Sequence, residues 1–211
     1  MKFFRNHWYD IGGILGAIML IAIVFFRPCF TNYQLLMWLS FIALTFHQAE
    51  EYRIAGTFPG MVNRVMFHSD IPDRYPLNSN TALIINVGMG WTLYLLAAIA
   101  GSKMIWLGMS SILVSLGNFM AHTFVFNIKG KTLYNAGLIT SWLFFAPCVF
   151  FFFIIIHKAN LVVIADYFIG IPLGIIINVL GVLKPITWLA DQNTPYRFKN
   201  SQLLPCDRAT S

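Results

Sequence analysis

The segment His47-Gln48-Ala49-Glu50-Glu51 places one imidazole and two carboxylates within a short stretch of chain. If the segment is helical, residues three and four positions apart share a face, so His47, Glu50 and Glu51 point the same way. Imidazole nitrogens and carboxylate oxygens are the usual ligands of zinc and non-haem iron. The spacing therefore predicts a helix that offers a histidine and a carboxylate to one metal ion.

Further polar residues stand near the ends of other apolar segments. His122 follows Asn118 by four residues near the end of one segment, and Tyr134 and Asn135 open the next. Asn86 lies about one and a half turns into another. We predict that His122 is a further metal ligand and that Tyr134 takes part in catalysis with the glutamates. Asn86, Asn118 and Asn135 are expected to orient ligands or substrate.

The composition excludes an ordinary soluble domain. The chain of 211 residues is 58% hydrophobic and only 10% charged, whereas soluble domains carry about 25% charged residues. Its 20 phenylalanines and 6 tryptophans are typical of lipid-facing and interfacial helices. The net charge is +6, but the basic residues lie between apolar runs, as charges that set membrane topology do. We therefore expect a lipid bilayer as the surroundings and no nucleic-acid partner.

Six apolar segments are long enough for membrane helices, because a hydrocarbon core about 30 Å thick needs roughly 20 residues. No alternating strand pattern competes with them. We expect an all-α, polytopic membrane helix bundle in one domain, residues 1–183. A polar cytoplasmic tail with little fixed structure, residues 184–211, is expected to follow. The expected spans are residues 11–26, 32–51, 81–100, 104–126, 133–156 and 161–183.

The basic residues predict the orientation. Of the 14 lysines and arginines, only Arg27, Lys103 and Lys158 fall in the connections that six alternating helices put on one side. Lysine and arginine accumulate on the cytoplasmic side of membrane proteins. The asymmetry therefore supports six helices and places both termini in the cytoplasm.

This topology brings the polar residues to one level. At about 1.5 Å per residue, His47 lies roughly 23 Å from the start of its helix, and Glu50 and Glu51 lie about 27–29 Å from it. His122 lies at about 27 Å in a helix of the same direction. Ionisable groups at such depths usually face the interior of the bundle. We expect one polar site near the cytoplasmic boundary of the membrane.

The order of these motifs resembles the HXXEE-domain family of small membrane proteins. The resemblance rests on His47-x-x-Glu50-Glu51, on His122 and on the segment from Tyr134 to Thr140. Ala136 stands where the family motif YxPG has proline. The resemblance implies a shared site and a multi-pass protein, which we expect in a bacterial plasma membrane, but the family is uncharacterised and supplies no reaction.

Two histidines with one or two carboxylates suit a single Zn²⁺ or Fe²⁺ ion. We expect a metal-dependent membrane enzyme, of hydrolase or oxidoreductase type, that acts on a lipid or other apolar substrate at the cytoplasmic interface. Which glutamate is the ligand and which the general base stays open. The alternatives are a metal-free isomerase that uses the same residues, a proton-coupled small-molecule transporter and a scaffold without chemistry.

Overall fold

The protein is built from helices alone. The computed structural model describes residues 1–208, and within that range it contains no β-strand. Besides short 3₁₀ turns, the helices are α1 (Lys2–Phe26), α2 (residues 32–54), α3 (residues 58–66), α4 (Ser79–Lys103), α5 (Ile105–Gly130), α6 (Leu138–Lys158) and α7 (Ile164–Trp188).

Five helices, namely α1, α4, α5, α6 and α7, are long and apolar enough to cross a membrane. The remaining expected span, residues 32–51, corresponds to α2. This helix joins 18 α-helical residues to five π-helical ones. It is therefore roughly 34 Å long at about 1.5 Å per residue. It carries more polar residues than the other five and packs among α1, α4 and α6. The all-helical bundle is confirmed, while the count of six spans and the cytoplasmic termini stay predictions.

Short polar residues fix where several helices begin. The Thr31 hydroxyl accepts a hydrogen bond from the Gln34 backbone, and the Gln34 side chain accepts one from the Thr31 backbone, both at 3.1 Å. This reciprocal pair satisfies amides at the start of α2 that have no partner within the helix. Asn78 does the same for α4, because its side-chain oxygen accepts from the next turn at 2.9 Å.

One buried carboxylate joins the starts of two helices. Asp166 accepts from the Val163 backbone at 2.9 Å and from the Trp106 backbone at 3.2 Å. It therefore satisfies free amides at the beginning of both α7 and α5, which pack against each other. This contact keeps α5, which carries His122, in register with α7.

The buried apolar side chains form two clusters. One lies among α2, α4, α5 and α6 and includes Phe41, Met109, Phe145 and Phe152. The other joins residues of α1, α2, α3, α4, α5, α7 and the C-terminal segment, and it includes Trp8, Tyr52, Phe126 and Leu203. Phe145 of the first cluster contacts His47, and Phe126 of the second contacts His122. The two predicted histidines therefore lie where the two clusters meet.

Several boundaries differ from those expected. The first helix begins at Lys2 instead of residue 11. Residues 131–137 form a connection, and α6 begins at Leu138 instead of residue 133. Two left-handed residues, Lys131 with φ 47° and Gly137 with φ 106°, interrupt helical geometry on either side of this connection. Tyr134 and Asn135 thus lie before α6 and not within it.

The expectation of little fixed structure in the tail is wrong for residues 189–208. The Phe198 backbone donates to the Asp73 carbonyl at 2.7 Å, and the Gln202 side chain donates to the Tyr52 carbonyl at 3.0 Å. Phe198 and Leu203 are buried in the second apolar cluster. The polar composition of the tail concealed these contacts. Residues 209–211 of the predicted tail lie outside the described residues.

We predict that Asp166→Ala lowers the free energy of unfolding by about 1–2 kcal/mol, because both helix starts lose a cap. The matched control is Asp70→Ala, since the Asp70 side chain is fully exposed and exposed ion pairs stabilise little. Denaturant titration of the detergent-solubilised protein measures both variants. Equal losses in the two would contradict the double cap.

Candidate metal centre

Three buried side chains from two helices converge at one point. His47 and Glu51 come from α2, and His122 comes from α5; each is less than 5% exposed. Glu51 Oε1 lies 3.4 Å from His47 Nε2 and 3.2 Å from His122 Nε2. One potential ligand atom from each residue lies within 4.8 Å of the others. The structure thus brings together Glu51 and His122, which are 71 positions apart in the sequence.

The hydrogen bonds around His47 determine which ring nitrogen carries its proton. His47 Nδ1 lies 2.9 Å from Thr140 Oγ1. The Thr140 hydroxyl donates its single proton to the Glu50 carboxylate at 2.6 Å, so its oxygen accepts from His47 Nδ1–H. In the neutral ring, Nε2 is then unprotonated and free to bind a cation.

His122 is fixed in the same tautomer by a different partner. His122 Nδ1 lies 2.6 Å from Asn135 Oδ1. The Asn135 amide nitrogen donates to the His122 carbonyl at 2.8 Å and to Asn127 Oδ1 at 2.7 Å, which identifies Oδ1 as the acceptor. The proton therefore lies on Nδ1, and Nε2 faces Glu51. Orientation of a metal-binding histidine through its second nitrogen is the common arrangement in proteins.

The two unprotonated Nε2 atoms and the Glu51 carboxylate oxygen repel one another electrostatically. Both Nε2 atoms are buried, and neither forms a hydrogen bond within residues 1–208. A proton on either Nε2 would be poorly aligned with Glu51 Oε1 despite the short distances. Two lone pairs and a negative oxygen therefore face one another in a buried site. Buried charges in proteins are paired or bound to metals, so the arrangement favours a cation among the three atoms.

Glu50, the residue before Glu51, contacts the start of α6 and not the two histidines. Glu50 accepts hydrogen bonds from the backbone of Ile139 at 3.3 Å and from the backbone of Thr140 at 2.8 Å. These amides lie in the first turn of α6, where the helix dipole attracts negative charge. Glu50 was predicted as a ligand or base, but its carboxylate lies on the start of α6 and outside the group of His47, Glu51 and His122.

Tyr134 closes the other side of Glu50. Its hydroxyl donates to Glu50 Oε1 at 3.0 Å. Partial burial and the adjacent Glu50 carboxylate raise the pKa of Tyr134 to about 12. The phenol therefore stays protonated at neutral pH and acts as a hydrogen-bond donor. Tyr134 lies in the connection between α5 and α6 and covers the site from that side. The residue is 43% exposed.

The backbone is adapted to these contacts in two places. The helices widen into π-helical turns at Glu50–Ile54 and Ala121–Val125, which carry Glu51 and His122. Similar turns occur in α3, α4, α6 and α7, so these two are not specific to the site. Gly137, with φ 106°, lies between the two imidazoles. A Cβ at Gly137 would collide with the His122 ring and approach His47 Cε1 to 2.8 Å.

Aromatic rings enclose the group. The ring centroid of Phe145 lies 4.6 Å from that of His47, and those of Phe126 and Phe58 lie 5.0 and 5.7 Å from that of His122. The imidazoles themselves pack edge to face at 4.8 Å. Apolar walls keep water out and strengthen every charge interaction inside.

Two predicted residues lie away from the group. Asn86 accepts from Gln48 at 3.0 Å and donates to the Ala82 carbonyl, so it joins α4 to α2. Asn118 donates to the Val114 carbonyl of its own helix at 3.0 Å. Neither forms a hydrogen bond with the histidines or with Glu51 among residues 1–208. The role predicted for them at the metal is not supported by these contacts.

Sequence reasoning missed the roles of Thr140, which is the hydrogen-bond partner of His47, and of Asn127, which holds the Asn135 partner of His122. Thr140 lies in the segment that carried the family resemblance, three residues after Gly137, but a threonine near a helix start suggests a cap before it suggests a histidine partner. Asn127 follows His122 by five residues, so an ideal helix would not place it on the same face.

A protein-family model described as "Protein of unknown function with HXXEE motif" matches residues 38–152. The chain belongs to the HXXEE family. The matched region contains both histidines, both glutamates and the segment from Tyr134 to Thr140, so it covers the contacts of the candidate metal centre. No curated protein and no solved structure matches the chain.

We predict that Gly137→Ala destabilises the protein by about 1–3 kcal/mol, because alanine is strained at this φ and its Cβ displaces both rings. Gly88→Ala is the matched control, since nothing lies within 4 Å of a Cβ there. This helical position should tolerate alanine or gain up to about 1 kcal/mol. Denaturant titration compares the two variants, and similar behaviour of both would contradict the prediction.

Proposed function

We propose that this HXXEE protein binds one divalent metal ion through His47, Glu51 and His122 and acts as a membrane enzyme on a lipid or other apolar substrate. The observation that carries the proposal is the pair of buried, hydrogen-bond-free Nε2 atoms that face one carboxylate oxygen. The reaction takes place at the cytoplasmic end of the bundle, as the distribution of basic residues predicts.

Two of the three distances between the ligand atoms match zinc coordination, and the two imidazole nitrogens lie within 4.8 Å of each other. Two ligands bound tetrahedrally at about 2.0–2.1 Å from zinc lie roughly 3.3 Å apart. The carboxylate oxygen lies 3.4 and 3.2 Å from the two nitrogens. The tautomers imposed by Thr140 and Asn135 leave both nitrogens free for the ion.

Three protein ligands leave a coordination position open for substrate or water, as in catalytic zinc sites and in iron sites with two histidines and one carboxylate. When bound, zinc supplies a Lewis acid and an acidic water, whereas iron supplies redox chemistry. The residues present suit either metal, so the proposal names a ligand set and not a metal identity.

The two glutamates have separate roles in this proposal. Glu51 is the ligand. Glu50 is a positioning residue, because its oxygens accept from Tyr134, Ile139 and Thr140 and have little capacity left to take a proton. It holds Thr140, which in turn holds His47. Tyr134 acts on the metal only through this chain of hydrogen bonds.

The apolar surroundings support a hydrophobic substrate. Five helices are suited to lipid contact by length and composition, and aromatic rings enclose the group. A molecule that reaches the open coordination position must pass apolar side chains on most sides. A lipid that enters from within the membrane meets this requirement at a lower desolvation cost than a polar metabolite.

Purified protein supplied with Zn²⁺ or Fe²⁺ should contain about one metal ion per chain, and His47→Ala or His122→Ala should abolish this content. His157→Ala is the control, because His157 contacts Tyr167 at the far end of α6. Elemental analysis measures all variants. A metal-free wild type, or metal retained by His122→Ala, would contradict the metal centre, and activity without metal would favour the isomerase.

The adjacent glutamates provide a sharper test. Glu51→Gln should lower the metal content at least about tenfold, because the amide removes the only charge in the ligand set. Glu50→Gln should keep more metal than Glu51→Gln, because no ligand is lost. It should lower the free energy of unfolding by about 1–2 kcal/mol, because charge-assisted bonds to α6 are lost. Elemental analysis and denaturant titration separate the outcomes. Metal loss in Glu50→Gln with unchanged stability would reverse the assignment.

A further inference from the structure

An apolar cavity of about 580 Å³ lies beside the metal centre, between α3, α5 and α7. Its volume is in the range of pockets that bind small molecules. Because α5 and α7 are both candidate membrane spans, the medium beside the cavity is lipid in the proposed setting. Apolar lining residues come from all three helices and include Val62, Met66, Ala121, Val125, Val182 and Ile186.

The cavity and the metal centre share a wall. Phe58 and Phe126 line the cavity, and both rings also contact the His122 ring, at centroid distances of 5.7 and 5.0 Å. The two phenylalanines meet edge to face at 5.6 Å. A single layer of aromatic side chains therefore separates the cavity from His122. A change in the rotamer of Phe58, which is partly exposed, would join the two spaces.

The polar atoms of the cavity identify a kind of ligand. Asn118 and Asn178 are the only polar side chains among the described lining residues, and no charged residue lines the cavity. The amide nitrogens of both donate to backbone carbonyls, Asn118 at 3.0 Å and Asn178 at 2.9 and 3.1 Å. No hydrogen bond within residues 1–208 reaches either side-chain oxygen. The cavity thus offers acceptors to a donor and no counter-charge to an ion.

We propose that this cavity binds the hydrocarbon chain of an uncharged, hydroxyl-bearing lipid, such as a long-chain alcohol or a monoacylglycerol, as the substrate of the adjacent metal centre. The inference rests on the proposed function. The chain occupies the apolar walls, and a hydroxyl group donates to Asn118 or Asn178. A fatty carboxylate or an anionic phospholipid is disfavoured, because a charge buried without a partner is costly.

The probe is a long-chain alcohol that carries a diazirine at its terminal carbon, compared with the carboxylic acid of the same length. Each is photolysed with the metal-loaded full chain in detergent, and the labelled peptides are mapped by mass spectrometry. We expect the alcohol to label peptides of α3, α5 and α7 that line the cavity, and the acid to label them about tenfold less, the factor that 1.4 kcal/mol produces.

Val182→Trp fills the cavity from α7 and should reduce cavity labelling about tenfold. The matched control is Leu180→Trp on the same helix, which is 47% exposed and does not line the cavity. Asn118→Leu should remove the preference for the alcohol over the acid. Metal content should stay the same in all three variants.

Labelling confined to the outer faces of the helices, equal labelling by acid and alcohol, or full labelling of Val182→Trp would overturn the lipid site while the metal centre stands. Cavity labelling in a protein that binds no metal would overturn the proposed function instead. If Val182→Trp fails to fold, the comparison of the two probes on wild type and Asn118→Leu still decides the proposal.

Discussion

The structure depends on one buried carboxylate, that of Glu51, held between two imidazole nitrogens. Placing a negative oxygen and two lone pairs together away from water costs free energy unless a positive charge joins them. The surrounding hydrogen bonds and packing hold these three atoms together and supply no proton between them. Thr140 and Asn135 keep the protons of His47 and His122 on the far side of each ring, and Gly137 leaves room for both rings.

Glu50 and Glu51 contact different helices because successive residues of a helix point in different directions. Glu51 faces α5 and the two histidines, while Glu50 faces the first turn of α6. The same stretch of α2 thus supplies a ligand to the proposed ion and a cap to the helix that holds Thr140. Binding at the centre and stability of α6 are therefore linked through one pair of residues.

The position of α2 explains how polar residues fit into an apolar bundle. Surrounded by α1, α4 and α6, α2 satisfies its polar groups with protein partners, as the bond between Gln48 and Asn86 illustrates. The more apolar helices lie around it. An apolar cavity lies beside α5, separated from His122 by the rings of Phe58 and Phe126.

The sequence alone determined the helical class and the grouping of His47 and Glu51 with His122, because composition and helical periodicity are local or additive properties. The level of the site in the membrane stays a prediction. The sequence left open which glutamate is the ligand and misplaced Asn86 and the tail. Tertiary structure decided these points. The direction of a side chain at a helix end depends on residues far away in sequence, such as Thr140 for Glu50. The helical spacing allows either glutamate to face the histidines, and tertiary packing selects Glu51.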